Sequence, residues 1–104
     1  ARGADPAGLD AALAAFCAGR PALTLEGLTL RSLDGFLALV PLGDVTALTA
    51  MAGAAVAALD GFRAPASAAE IARRRAAGLS AAQEANLRRW GYPHVMDEFR
   101  FHVT

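Results

Sequence analysis

Two apolar runs joined by the dipeptide Asp34-Gly35 constrain the fold of this 104-residue chain more than any other feature. Both central residues of a type I′ turn need positive φ, so this dipeptide predicts a tight β-hairpin. The run before it, residues 23–33, changes its alternation at Glu26-Gly27, where we expect a bulge or a bend. The run after it, Phe36 to Val40, is apolar at every position, which predicts a strand that is central in the sheet or covered on both faces.

Two apolar-striped helices are predicted on either side of the hairpin. The first spans residues 6–18, with Asp5 as its N-cap and Gly19 at its end. The second spans residues 44–60 and is capped by Asp44. The residues predicted to be buried on these helices are Leu9, Ala12, Leu13, Phe16 and Cys17, and then Val45, Leu48, Met51, Ala52, Ala55, Val56 and Leu59.

A helical appendage is predicted over residues 63–92. The patterns Ser67-x-x-Glu70 and Ser80-x-x-Gln83 are capping boxes, so we expect short helices at 68–77 and 81–90. The segment offers few large apolar side chains, and Trp90 is the expected anchor against the rest of the chain. Its arginines are interpreted either as a solvated face or as a basic flap near a phosphorylated ligand. They are Arg73, Arg74, Arg75, Arg88 and Arg89.

The final residues alternate strictly between apolar and polar side chains. Phe99, Phe101 and Val103 share one parity, and Arg100, His102 and Thr104 share the other. His102 and Thr104 are separated by roughly 6–7 Å on a strand, which suits contact with one phosphate-sized group. The alternative is an ordinary half-solvated strand. The predicted fold is α+β: an antiparallel sheet from residues 23–33, 36–41 and 95–104, with helices 6–18 and 44–60 on one face.

Composition narrows the classes of partner and cofactor. Ten arginines balance ten carboxylates, so the sequence predicts neither a nucleic-acid partner nor a membrane surface. The longest apolar run, Val45 to Leu59, is shorter than the ~20 residues of a membrane span. The chain has no lysine and no glycine-rich phosphate loop, and its histidines and Cys17 are isolated, so no metal or other cofactor is expected. A single cysteine suits a reducing compartment, which predicts a cytoplasmic protein.

Several stretches together resemble a bacterial family of unknown function, whose members are often encoded beside phosphonate-degradation genes. That family in turn resembles the two-histidine phosphoesterases, which include 2′-5′ RNA ligase-like proteins and cyclic phosphodiesterases. The stretches that carry the resemblance are Phe62-Arg63-Ala64-Pro65, Ala72 to Leu79, Gln83-Glu84, Arg89-Trp90-Gly91-Tyr92-Pro93 and Glu98 to Thr104.

The resemblance implies a duplicated, two-lobed α+β fold with one His-x-Thr motif per lobe. This chain would form about half of it and carry the second motif, with the first motif upstream of Ala1 and more strands after Thr104. His102 would then be the catalytic acid or base and Thr104 a phosphate ligand. Arg100 is predicted as a further phosphate-binding residue only because it shares the strand face of His102 and Thr104; it is not part of the family's motif. The other histidine, His94, would lie about 26 Å away on a continuous strand, unless the chain folds back between Met96 and Glu98.

The resemblance therefore implies a phosphoesterase that acts on a cyclic phosphodiester or related phosphorylated metabolite, in connection with phosphonate metabolism. Two alternatives stay open: a module that binds a phosphorylated ligand without turnover, and a structural scaffold. Paired acid–base catalysis needs a second group near the substrate. Because His94 is expected to be remote, the 104 residues alone are expected to be inactive, and hydrolysis is expected only of the full-length protein.

Overall fold

The structure is a computed structural model that describes residues 5–104, and its fold is α+β, as the sequence predicts. The elements are α1 (Pro6–Ala18), β1 (Leu28–Leu33), β2 (Phe36–Pro41), α2 (Thr46–Leu59), α3 (Ala68–Ala76) and α4 (Ala81–Trp90), with 3₁₀ turns at Asp60–Phe62 and Met96–Glu98. Strands β1 and β2 form a two-stranded antiparallel sheet. None of the helices within residues 5–104 is both long and apolar enough to cross a lipid bilayer.

The hairpin forms at the predicted turn. Asp34 and Gly35 adopt φ values of 46° and 89°, and Leu33 pairs with Phe36 on either side of them. Strand β1 begins only at Leu28, so the predicted start at residue 23 is wrong. The cause is the bend at Gly27, which has a φ of 154° and whose carbonyl accepts a hydrogen bond from the Leu42 N–H at 2.9 Å.

The two faces of the sheet differ in burial. Ala38 lies opposite Arg31 in the ladder and is 2% exposed. On this face, Leu33 and Val40 line a cavity together with residues at the start of α2, so the helix lies beside the sheet here. The other face carries exposed leucines, and Leu37 is 66% exposed. No described element covers the second face of β2. The strand is nevertheless central, which is one of the two predicted alternatives: it pairs with β1 at one edge and bridges to Val103 at the other.

The predicted C-terminal strand is much shorter than expected. Val103 forms one bridge with Leu39, with N–H···O distances of 2.8 and 2.9 Å. Residues 96–98, which belong to the predicted strand, form a 3₁₀ turn instead. Met96 has a φ of 54°, which a strand cannot accommodate, and the chain changes direction there.

Helix α1 forms where the sequence places it, whereas α2 begins at Thr46 and not at residue 44. The predicted Asp44 cap is wrong, because Val45 is the N-cap and makes no side-chain capping bond; Asp44 instead accepts a hydrogen bond from the Thr46 N–H in the turn before the helix. Asp5 accepts a hydrogen bond from the Gly8 N–H, and α1 packs along α2. The predicted apolar face of α2 is half-buried along its length. On α1, by contrast, Leu13 is 45% exposed and Cys17 is exposed, so their predicted burial is wrong. One packed helix covers only part of the α1 stripe, and the described residues provide no second layer.

Helices α3 and α4 begin at the predicted serines. Ser80 and Gln83 form a complete capping box. The predicted box at Ser67 is only half formed: Ser67 accepts a hydrogen bond from the Glu70 N–H, but the Glu70 carboxylate binds Arg73 and Arg74. The buried anchor of the pair is Leu87, which is 2% exposed, whereas the predicted anchor Trp90 is half-buried. Leu87 lies on the inner side of α4, one turn before the helix end, so it is better covered than a residue at the terminus.

Candidate functional site

The C-terminal segment, the hairpin turn and α4 enclose a cavity of about 530 Å³. We call it the histidine cavity because two imidazole side chains line it. Its lining residues are Leu33, Asp34, Phe36, Gln83, Tyr92, His94, Asp97, Glu98, Phe99, Arg100 and His102. Two of the three predicted site residues, Arg100 and His102, therefore lie in one cavity.

The imidazole of His102 is exposed but held in a defined orientation. Its ring packs against Phe36 with the centroids 5.7 Å apart. Its Nδ1 lies 2.8 Å from the carbonyl oxygen of Arg100. A carbonyl oxygen can only accept a hydrogen bond, so Nδ1 must carry the proton. In the neutral ring Nε2 then holds the lone pair, which makes it the atom able to accept a proton from a ligand.

The second histidine, His94, lines the same cavity, and its expected remoteness is wrong. The predicted separation assumed a continuous strand between the two histidines. Instead, the 3₁₀ turn at Met96–Glu98 folds the chain back, and His94 reaches the cavity that His102 lines. Asn86 of α4 fixes the approach to this turn by donating hydrogen bonds to the carbonyls of Pro93 and Val95, at 3.1 and 2.9 Å. The only sequence signal for the turn is that the apolar alternation starts at Phe99 and not before it.

Thr104 is exposed and does not line the histidine cavity. The C-terminal segment pairs with β2 only through the bridge at Val103, so no longer strand sets the direction of Thr104. The structure thus brings His102 and Arg100 together, and adds His94, but it does not bring Thr104 to the same cavity.

The charges of the histidine cavity are mixed. Carboxylates of Asp34, Asp97 and Glu98 line it, against the single guanidinium of Arg100. Carboxylates accept hydrogen bonds from hydroxyl groups and repel anions, so a phosphate is favoured only on the side of Arg100. Within residues 5–104, no group of three or more histidine, cysteine or acidic residues is arranged to hold a metal ion.

The arginines of the appendage are ion-paired. Arg75 donates from Nε and Nη2 to the Glu84 carboxylate at 2.7 and 3.0 Å, and Arg88 donates from Nε at 3.0 Å. The two hydrogen bonds from Arg75, and then the one from Arg88, lower the pKa of Glu84 to about 2. On α3, both Arg73 and Arg74 bind Glu70. Glu84 therefore links the two helices of the appendage.

Comparison with known proteins identifies relatives for most of the chain. A protein named "Ribose 1,5-bisphosphate phosphokinase PhnN" from Janthinobacterium sp. (strain Marseille) is 43% identical over 90 residues, which cover 86% of this chain and 20% of that protein. A protein of the same name from Laribacter hongkongensis (strain HLHK9) is 41% identical over 80 residues, which cover 75% of this chain and 18% of the relative. The matched segments thus make up about a fifth of these relatives. No solved structure matches the chain.

The family model described as "Protein of unknown function (DUF1045)" matches residues 1–104, which is the entire sequence. The chain therefore belongs to the DUF1045 family.

Proposed function

We propose that the protein containing this chain acts on a phosphodiester or related phosphorylated metabolite by acid–base catalysis, with His102 as one catalytic residue. The observation that carries the proposal is the 2.8 Å contact between His102 Nδ1 and the Arg100 carbonyl. It fixes the ring in the tautomer whose Nε2 accepts a proton. An imidazole can both accept and donate a proton, so such a group can work as a general acid or a general base.

His94 is a candidate for the second proton-transfer group. It lines the same cavity as His102, and the proposal is that one ligand contacts both rings. Paired groups allow one imidazole to accept a proton while the other donates to the leaving oxygen. In the two-histidine phosphoesterases that the sequence resembles, the partner histidine comes from a second His-x-Thr motif. His94-Val95-Met96 lacks that motif. A His94 variant therefore distinguishes two possibilities: it loses turnover if His94 is the second group, and it keeps turnover if the second histidine belongs to another motif.

The charges of the cavity favour a particular kind of substrate. Arg100 can bind phosphate oxygens beside His102, and the carboxylates of Asp34 and Asp97 can accept hydrogen bonds from hydroxyl groups. A phosphorylated sugar meets both requirements, with its phosphate at Arg100 and its hydroxyls toward the carboxylates. Thr104, the phosphate ligand implied by the resemblance, would join the site only if the residues after Val103 turned toward it.

The names of the relatives support a link to phosphonate metabolism without making this chain a kinase. Kinases commonly hold nucleotide phosphates with a glycine-rich loop and a lysine, and this sequence has no lysine. The matched segments are about a fifth of each relative, which leaves ample chain for a separate kinase domain. We therefore propose that the DUF1045 chain serves the same metabolic route, as its resemblance to phosphonate-operon proteins also suggests.

The test measures turnover by the full-length protein on 2′,3′-cyclic nucleotides and on a linear 2′-5′ dinucleotide. His102→Gln should lower kcat/KM by roughly 10²–10⁴-fold while leaving circular dichroism unchanged, because the side chain is exposed. His94→Gln is the matched histidine variant: a similar loss identifies it as the partner, and normal turnover assigns the partner to another motif. Arg73→Gln, outside the cavity, is the control and should be active.

Two results would contradict the catalytic proposal. Turnover that survives in His102→Gln would show that this imidazole transfers no proton. Saturable binding of the cyclic nucleotide with no product, over long incubation with wild-type protein, would favour the binding-module alternative instead.

A further inference from the structure

A second cavity, of about 280 Å³, lies between α3, α4 and the segment before α3. We call it the arginine cavity. Arg63, Arg75 and Arg88, each with its guanidinium group, are among its lining residues, together with the apolar residues Ile71 and Leu87, and no carboxylate residue is among them. It shares no lining residue with the histidine cavity, and its charge is opposite to the three-carboxylate lining there.

Two of these guanidinium groups are positioned in advance by Glu84. The carboxylate binds Nε and Nη2 of Arg75 and Nε of Arg88. Within residues 5–104, Arg75 Nη1 and both Nη atoms of Arg88 donate no hydrogen bond to the protein, so they can donate to a ligand. Because Glu84 already fixes both side chains, a ligand would order few additional rotors on binding.

The third guanidinium is positioned by the chain around it. Arg63 donates from Nε to Asp60 at 2.9 Å, and its Nη1 passes so close to Gly91 that a Cβ there would lie 2.6 Å from it. Leu87, which is 2% exposed, provides an apolar wall beside these charges. An apolar wall lowers the local dielectric and strengthens the attraction between guanidinium and anion.

A purely structural role does not account for this arrangement. Joining α3 to α4 needs one pair, Arg75 with Glu84, and exposed ion pairs contribute little to stability. It does not require three guanidinium groups around one cavity. Guanidinium groups match the geometry of phosphate oxygens, and several of them around a cavity are the usual means of binding a phosphate dianion.

We propose that the arginine cavity binds the phosphate group of a small phosphate monoester, through Arg63, Arg75 and Arg88. The volume of about 280 Å³ exceeds that of a phosphate group and leaves room for part of the attached molecule. The proposal does not depend on catalysis at His102, since the two cavities are separate. It assigns the appendage a ligand of its own.

The test is isothermal titration calorimetry on the full-length protein at low ionic strength, with inorganic phosphate and with ribose 5-phosphate as a monoester. We expect saturable binding of both, tighter for the monoester. Arg88→Gln should weaken the affinity about tenfold, since one charge-assisted contact is lost. Arg88→Lys keeps the charge but not the fork of donors and should show a smaller loss.

Two matched variants distinguish binding in the arginine cavity from general charge attraction and from binding in the histidine cavity. Arg73 lies on the same helix as Arg75, is exposed and does not line the cavity, so Arg73→Gln should change the affinity less than twofold. Ribose 5-phosphate can also enter the histidine cavity, so the titration is repeated on His102→Gln, in which the binding event that Arg88→Gln weakens should persist with the same affinity. Absence of saturable binding would overturn the proposal. An equal loss in Arg73→Gln, which would indicate general charge attraction, would overturn it too. A third result would also overturn the proposal, namely loss of phosphate affinity in His102→Gln together with normal affinity in Arg88→Gln. That result would not contradict the catalytic role proposed for His102.

Discussion

Two glycines of similar backbone conformation, each close after a helix of the appendage, allow the contribution of Arg63 to be measured. Gly78 follows α3 and Gly91 follows α4, with φ values of 83° and 80°. Any L-residue in this left-handed region costs about 1 kcal/mol or slightly more, so Gly78→Ala and Gly91→Ala should destabilise the protein equally through the backbone. The surroundings differ: a Cβ at Gly78 meets nothing within 4 Å, whereas one at Gly91 lies 2.6 Å from Arg63 Nη1 and 3.2 Å from its Cζ.

The steric overlap in Gly91→Ala should displace the Arg63 guanidinium by about 1 Å to restore ordinary van der Waals contact. The end of an arginine side chain moves easily, so this displacement adds little to the loss of stability. It does take Arg63 out of its position in the arginine cavity. We therefore expect the two variants to lose similar stability, about 1 kcal/mol, and only Gly91→Ala to lose phosphate affinity, by about three- to tenfold.

The assay combines urea unfolding with calorimetric titration of ribose 5-phosphate on the full-length protein. Gly78→Ala serves as the control for the backbone effect. Equal phosphate affinity in both variants would refute the role given to Arg63. A much larger loss of stability in Gly91→Ala would refute the argument that the overlap is relieved by side-chain movement alone.

Three further predictions concern the appendage. Leu87→Ala should cost about 2–4 kcal/mol, because the side chain is 2% exposed, and should raise hydrogen exchange in α3 and α4 more than Trp90→Ala does. Ser80→Ala removes the capping box and should cost about 1 kcal/mol in urea unfolding, whereas Ser80→Asp should retain most of the stability. The pKa of Glu84 is lowered, so its ionised carboxylate contributes to the free energy of unfolding above pH 4.5, and this contribution should be lost as the pH falls from 4.5 through about 2. Glu84→Gln should lack that part of the pH dependence of stability.

Local signals in the sequence predicted the elements that depend on neighbouring residues. The Asp34-Gly35 turn, the Asp5 cap and the Ser80 capping box are each determined within four residues, and each forms as expected. The bend at Gly27 also follows from a local change of alternation. In these cases the physical cause is a hydrogen bond or a φ preference that the sequence itself specifies.

The burial of side chains and the turn at Met96–Glu98 were harder to predict, because both depend on contacts between residues far apart in the sequence. Leu37 and Cys17 have the pattern of core residues, yet the described elements leave both exposed. Periodicity shows which side chains share a face but not whether another layer covers that face. The same limit applies to His94: its place in the histidine cavity depends on a turn that no glycine, proline or asparagine announces.

That turn depends on Met96, whose φ of 54° is unusual for a residue with a Cβ. The side chain packs on α2, where a Cβ added at Gly53 would lie 3.2 Å from the Met96 sulfur. Contacts with the helix therefore offset the cost of the methionine's backbone conformation. This balance predicts an unusual order of stability among substitutions at the position.

Met96→Ala and Met96→Gly both remove the contacts with α2, so they differ only in the backbone. At an ordinary position glycine is less stable than alanine by roughly 0.5–1 kcal/mol. At a positive φ the order should reverse, and Met96→Gly should be more stable than Met96→Ala by about 1 kcal/mol in urea unfolding. If alanine were instead the more stable variant, the turn would not hold a left-handed residue at Met96. The fold-back that brings His94 to the cavity lined by His102 would then lose its structural basis.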